Sequence, residues 1–207
     1  MAASWLEETL GGSRARGFLG PGPLEPQILH AKGFAAVWEA DHDAPPSSYL
    51  DLGTGGGLPG LVLAERWACE VVLLDSMAKR VAYLEESLGK PGAAPGVEVV
   101  LGRAEVVARN DDFAGRFELV TARSFGSPAV TAECAARFLR LHGWLVVSEP
   151  PTSEGDSRWP EAGLERLGLA LGPRVSSGAT YQVVRKVAAT PDEFPRGVGR
   201  PSKRPLF

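Results

Sequence analysis

Tyr49-Leu50-Asp51-Leu52-Gly53-Thr54-Gly55-Gly56-Gly57-Leu58-Pro59-Gly60 decides how the rest of the chain is understood. Apolar residues lead into an acid, a glycine-dense turn follows, and Pro59 stands where a helix through Leu61-Val62-Leu63-Ala64-Glu65-Arg66 takes its first residue. Glycine tolerates positive φ and lets a ligand approach the main chain, and proline at the first helical position loses only an amide that has no partner there. Strand, turn and helix in this order put the turn at the carboxyl end of a parallel strand, where open α/β sheets bind their ligands.

Two cofactor classes compete for such a turn. Asp51 with Gly53, Gly55 and Gly57 matches the acid-x-Gly-x-Gly-x-Gly loop of S-adenosylmethionine (AdoMet) methyltransferases. Gly55, Gly57 and Gly60 equally satisfy the G-x-G-x-x-G dinucleotide fingerprint. A carboxylate suits the positively charged amino acid end of AdoMet, whereas a pyrophosphate needs bare amides with no anion close by. Asp51 therefore favours AdoMet; the alternative is a purely structural turn that Asp51 caps. The next run, Glu70-Val71-Val72-Leu73-Leu74-Asp75, ends in an acid 22 positions after Gly53. An acid there accepts hydrogen bonds from the ribose hydroxyls of an adenosine cofactor, so Asp75 supports a nucleoside ligand without choosing between AdoMet and NAD. As an ordinary strand-end turn residue it needs no ligand.

Outward from this pair the pattern alternates. Strands are expected at 49–52, 71–74, 97–101, 117–121 and 144–148, with helices at 59–67, 77–88, just after Gly102-Arg103-Ala104-Glu105, and at 128–141. Repeated β-α-β units with short connections give a parallel, doubly wound sheet. After a polar linker from Pro150 to Arg158 and a helix near 159–169, Arg174–Ser177 and Tyr181–Val187 flank Gly178-Ala179-Thr180 as a hairpin. A dinucleotide fold continues with parallel units, while AdoMet methyltransferases finish with an antiparallel pair. The fold class is thus α/β, a class I AdoMet-dependent, Rossmann-like doubly wound sheet, mostly parallel with a C-terminal antiparallel hairpin.

Both ends differ from this middle. Residues 1–47 are expected as an N-terminal helical extension, a lid or docking surface. It has one helix at Trp5–Leu10, a glycine- and proline-rich link from Gly11 to Pro26, and a second helix from Gln27 to Ala40 with Ile28, Ala31, Ala35 and Trp38 on one face. Trp5, Trp38, His30 and His42 are candidate substrate contacts, although aromatics at helical spacing also serve as core. Residues 48–190 form the AdoMet-binding methyltransferase domain. Residues 191–207 are a basic, extended C-terminal tail whose Arg196, Arg200, Lys203 and Arg204 suit phosphate contact or simple solvation.

Composition narrows the classes. The 207 residues fit one domain and can bury a substantial core. A formal net charge of −3 excludes a globally cationic nucleic-acid binder, so RNA contact must rest on a local patch. Cys69 and Cys134 lack C-x-x-C spacing and are expected as buried free thiols, with no metal site. No apolar run reaches the roughly 18 residues of a membrane span, and the acidic start with Glu7 and Glu8 is not a secretory signal. The cytoplasm is the expected compartment, and a monomer without membrane contact the expected state.

The motifs together, Asp51–Gly60, Leu74-Asp75-Ser76-Met77-Ala78-Lys79-Arg80, Gly102–Glu105, Thr121-Ala122-Arg123-Ser124-Phe125 and the tail Phe194–Leu206, resemble the 16S rRNA guanine-N7 methyltransferase G family, also called the glucose-inhibited division protein B family. The resemblance spans Tyr49 to Leu206. It implies AdoMet contact by Gly53 and Leu58, by Ala104 and Glu105, and by Arg123, with ribosomal RNA or the small ribosomal subunit as partner. The N-terminal segment lacks the family's Asn-Leu-Thr box and its His-x-x-Asp-Ser helix, and Ser148-Glu149-Pro150-Pro151 replaces its Lys-Gly.

The expected function is methyl transfer from AdoMet to guanine N7 of small-subunit ribosomal RNA. The alternatives are another RNA or small-molecule acceptor, an NAD-dependent oxidoreductase, or a non-catalytic cofactor-binding RNA protein. Guanine N7 has an in-plane lone pair and no proton to lose, so no general base is named. Arg123, with Ser124 nearby, is the candidate catalytic group that orients or neutralises the target, unless it merely pairs with a helix-face acid. Lys79 and Arg80 are candidate phosphate contacts or solvated helix residues.

Overall fold

Apolar runs bounded by glycines and acids dictate the sheet, and its helices follow from the faces those runs must cover. The computed structural model describes residues 4–67, 69–150 and 158–207. In chain order the elements are α1 (Trp5–Ala15), α2 (Leu24–Glu39), β1 (Ser48–Leu52), α3 (Gly60–Arg66), β2 (Glu70–Asp75), α4 (Ala78–Leu88), β3 (Val97–Leu101) and α5 (Ala104–Val107). They continue with β4 (Phe117–Ala122), α6 (Pro128–Ala136), β5 (Leu139–Glu149), α7 (Glu161–Glu165), β6 (Leu169–Ser176), β7 (Thr180–Lys186) and α8 (Arg200–Lys203). The strand order is β3-β2-β1-β4-β5-β7-β6. β1 to β5 are mutually parallel, and β7 is antiparallel to both β5 and β6. This is the expected sheet, including its terminal hairpin.

The central strands are buried on both faces, which is why they read as continuous apolar runs rather than alternating ones. Alternate residues feed two cores. Tyr49, Val71, Leu73, Leu119 and Val146 enter the core that α1 to α4 cover, and Leu50, Val72, Leu74, Val120 and Leu145 enter the core under α5 to α7. The N-terminal extension belongs to the first of these, through Leu6, Leu10, Phe34 and Trp38.

Several boundaries differ from the sequence reading for tertiary reasons. α1 begins with a reciprocal capping box, Ser4 Oγ accepting from the Glu7 amide and Glu7 from the Ser4 amide. It then runs through Gly11-Gly12 to Ala15, past the expected link. A Cβ at Gly12 would sit 2.1 Å from the Tyr83 hydroxyl, so glycine permits the close approach of α1 to α4 at this point. Tyr83 donates to the Thr9 carbonyl and Ser13 to the Gly56 carbonyl, which fix the same contact. Pro59 precedes α3 as its N-cap rather than opening it. α6 stops at Ala136, five residues short of the expected end, because β5 starts at Leu139 and reaches β4 through an irregular register near Phe117 and Leu119. Of the polar linker from Pro150 to Arg158, residues 151–157 lie outside the described residues.

The tail, expected as extended, is docked and ends in α8. Phe194 and Pro201 are buried. Arg109 donates to the carbonyls of Asp192, Glu193 and Pro195, and Arg137 to that of Phe194. Arg196 grips Glu133, which is fully buried, through its amide at 2.8 Å and its guanidinium at 2.9 and 2.6 Å. Of the four tail cations, Arg196 is therefore consumed by α6, while Arg200, Lys203 and Arg204 stay exposed. Cys134 is a buried free thiol and Cys69 a half-buried one, and burial pushes their pKa values up to about 12 and about 11. Among the described residues no helix is long and apolar enough to cross a membrane.

Candidate active site

The carboxyl ends of β1 to β4 share one rim, and the glycine turn after β1 forms its centre. Gly53, Gly55 and Gly57 take φ values of 74°, 60° and 100°, a region side chains other than glycine rarely adopt. The turn is pinned from below by two carboxylates. Asp75, at the end of β2, accepts from the amides of Gly55 at 2.9 Å and Met77 at 2.8 Å, and pairs with Arg80 Nη1 at 3.3 Å. Asp51, on β1, accepts from the Gly60 amide at 2.9 Å and from the Thr121 hydroxyl at 3.0 Å.

Asp51 thus sits under the loop rather than on its open side, and it lines neither cavity described below. Burial lifts its pKa to about 6, against the hydrogen bonds from Gly60 and Thr121 and the charge of Arg123. The folded chain holds this proton more tightly than the unfolded chain, whose aspartates titrate near ~4. The stabilisation is complete below the unfolded value and is lost as pH rises from about 4 to about 6, an effect of about 3 kcal/mol. Asp51→Asn removes the titration. The stability difference between wild type and variant, followed by denaturant unfolding, is expected to shrink by that order between pH 4 and pH 7; a difference that does not vary with pH contradicts the assignment.

Two cavities open along the rim and share Gly53, Arg80 and Ser124. The first, about 260 Å³, lies over the ends of β2 and β3 and is lined by Asp75, Met77, Ala104, Glu105 and Phe125, among others. Burial raises the Glu105 carboxyl, but the bonds from Arg103 and from the Gly199 amide outweigh it, and the net pKa is lowered. The Glu105 carboxylate is thereby committed to the protein. The apolar surface of Leu52, Leu74, Met77 and Phe125 against the Asp75 carboxylate fits a flat heterocycle carrying a diol.

The second cavity, about 470 Å³, lies on the other side of the turn and is lined by Gly53, Gly55, Leu58, Gln27 and Arg123, with the link from α1 to α2 as its outer wall. Arg123 leaves β4 half-buried, and desolvation lowers its pKa against the opposing influence of Asp51 and Tyr181. Its Nη2 faces Gln27 Oε1 at 3.5 Å, and its buried Nη1 has no partner. Ser124, which touches both cavities, holds φ at 55°. Strained residues of this kind gather at functional sites.

The structure accordingly divides the sequence candidates. Gly53, Asp75, Ala104 and Glu105 meet at the first cavity; Gly53, Gly55, Leu58 and Arg123 meet at the second; Asp51 and Gly57 support the turn from beneath. Arg80 lines both cavities, whereas Lys79 is exposed away from them. His42 stacks on Trp38 and packs against Trp144, and Trp5 bonds to the Ser87 carbonyl, so these aromatics are structural. Two contributors had no local signal: the wall Phe18–Gly22, and Ser202, which α8 brings to the first cavity.

Comparison with known proteins agrees with this geometry. The family described as rRNA small subunit methyltransferase G matches residues 29–154. The protein named Ribosomal RNA small subunit methyltransferase G from Symbiobacterium thermophilum is 33% identical over 200 residues, 89% of this chain and 80% of that one. Its namesake from Moorella thermoacetica is 32% identical over 170 residues, 78% of this chain and 70% of the relative. Among solved structures, a SAM dependent methyltransferase from Aquifex aeolicus superposes with a TM-score of 0.58 at 17% identity, covering 81% of this chain and 94% of that one. A putative O-methyltransferase from Klebsiella pneumoniae gives 0.59 at 14% identity, covering 91% and 92%. These structures share the fold.

Proposed function

This chain belongs to the rRNA small subunit methyltransferase G family, and from that premise we propose that it transfers a methyl group from AdoMet to guanine N7 of small-subunit ribosomal RNA. The observation that carries the reading is the meeting of two unlike cavities at Gly53 and Ser124, one built around the Asp75 carboxylate and the other around two arginines. The turn itself argues against a dinucleotide. The Gly55 and Gly60 amides, which a pyrophosphate would need, already donate to Asp75 and Asp51.

In this reading Asp75 takes the ribose hydroxyls, the main chain at Ala104 and Glu105 takes the adenine edge, and Gly53, Gly55 and Leu58 bound the amino acid end. When bound, AdoMet supplies a methyl group on a sulfonium, which the N7 lone pair displaces to leave a neutral thioether and a positively charged 7-methylguanine. No proton leaves guanine, so the absence of an acid/base dyad among the described rim residues is consistent with the chemistry. The protein's contribution is positioning, and well-oriented reactants reach effective molarities of about 10⁵–10⁸ M. Arg123 is the catalytic group, holding the acceptor, and Asp51 shapes the turn that faces it. The enzyme acts as a monomer in the cytoplasm, where the subunit is assembled.

The test is incubation of the purified protein with methyl-labelled AdoMet and small ribosomal subunits assembled on unmodified transcript, followed by nucleoside mapping. Label in a single N7-methylguanosine is expected. Label in another nucleoside, or none in RNA, overturns the acceptor assignment.

A further inference from the structure

The family reading leaves open where on this protein the acceptor base sits. The second cavity carries the information. Its floor is Gly53 to Gly56, and its roof is the link from Phe18 to Gly22. The roof is fixed in place: Ser13 Oγ donates to the Gly56 carbonyl at 2.9 Å, Gln27 Nε2 to the carbonyls of Gly20 and Pro23 at 3.3 and 3.4 Å, and Arg14 to that of Gly22 at 3.2 Å. Leu19 presses on Gly56 so closely that a Cβ there would lie 2.6 Å from Leu19 Cγ.

The chemistry of the lining is one-sided. No Asp or Glu lines this cavity among the described residues, and its two charged residues are Arg80 and Arg123. Each has a buried nitrogen without a partner, Arg80 Nε and Arg123 Nη1. Buried donors of this kind cost free energy unless a ligand supplies acceptors. The roof adds apolar surface from Phe18, Leu19 and Pro21. A ligand that fits must be flat, partly apolar and edged with acceptors. The N7–O6 edge of guanine carries two acceptors, whereas the same edge of adenine carries an acceptor and an amino donor, for which this cavity has no carboxylate partner.

We propose that the cavity beneath the α1–α2 link is the acceptor site, which takes a guanine base unstacked from the RNA, with its N7–O6 edge toward Arg80 and Arg123. The base lies under the link, and N7 faces the first cavity where the two meet, at Gly53 and Ser124. Enzymes that act on a base inside a folded nucleic acid take it out of the stack into such a pocket. Gln27 and the link from Phe18 to Gly22 are then positioning elements for the acceptor, although they come from a segment that does not resemble the family's N-terminus. The proposal rests on the methyl-transfer reading above.

Gly20 and Gly22 allow a clean test, because a Cβ at either meets nothing within 4 Å and neither needs a left-handed backbone. Gly20→Trp and Gly22→Trp each fill the second cavity from its outer wall. Thermal unfolding, S-adenosylhomocysteine affinity by calorimetry, and methyl transfer to undermethylated small subunits are measured for each. The expected result is unchanged unfolding, nearly unchanged affinity, and transfer reduced by about 100-fold or more, as misplacement of a reacting group entails. Parallel loss of S-adenosylhomocysteine binding overturns the proposal by giving the cavity to the cofactor, and undiminished transfer in both variants overturns it by placing the acceptor elsewhere. Failure of the underlying reading looks different: wild type itself then makes no N7-methylguanosine.

Discussion

Arg123→Ala is expected to lower methyl transfer by about 10²- to 10³-fold, the range seen when one pre-aligned donor is removed from a reacting centre. The fold is expected to persist, because the side chain makes only a long contact to Gln27 at 3.5 Å and leaves Nη1 unpaired, so little of the protein's own bonding depends on it. Cofactor affinity is expected to change far less than turnover, since Arg123 lines the second cavity and not the first. Arg123→Lys keeps the charge but not the planar fork, and an intermediate rate is expected. There is also a readout independent of activity. Arg123 is one of the influences that hold the Asp51 carboxyl down, so in Arg123→Ala the pH range over which Asp51 destabilises the fold moves upward. Turnover within a few-fold of wild type removes Arg123 from the mechanism.

The second large effect is expected at Asp75. Its carboxylate is 4% exposed and serves three protein donors, the Gly55 and Met77 amides and Arg80, while also facing the first cavity. A carboxylate oxygen can accept more than one hydrogen bond, so the side chain can hold the turn and still accept from a ribose diol. Asp75→Ala takes away both roles. Hydrogen bonds to charged groups are worth about 1.5–3 kcal/mol each, so loss of two from a bound ribose corresponds to about 10²-fold or more in S-adenosylhomocysteine affinity. The loss is expected in binding itself, measured by calorimetry, with a fall in unfolding temperature from the orphaned Gly55 amide. Wild-type affinity in Asp75→Ala contradicts the ribose assignment.

The rim was legible because its signals are local. An apolar run, an acid and clustered glycines set β1, its turn and α3 within twelve residues, and the same grammar placed Asp75, Glu105 and Arg123 at successive strand ends. Parallel strands buried on both faces announce themselves by unbroken β-branched and leucine runs. What stayed hidden depends on contacts distant in sequence. Gly11 and Gly12 read as a break, yet the contact of Gly12 with Tyr83 keeps them helical. Phe18 to Gly22 read as a link, and only the packing of Leu19 on Gly56 makes it a cavity wall. The tail read as solvated cations, because nothing local ties Arg196 to Glu133 across 63 residues. The side chain of Asp51 was identified, but its direction was not: it points beneath the loop to Gly60 and Thr121.

The most direct measurement is a structure of the wild-type protein with S-adenosylhomocysteine, accompanied by calorimetry against NADH. The account predicts binding of the homocysteine compound alone, with its adenosine in the first cavity beside Asp75 and the Ala104–Glu105 main chain. A vacant first cavity in crystals grown with the ligand, or heat on adding NADH and none with S-adenosylhomocysteine, contradicts it.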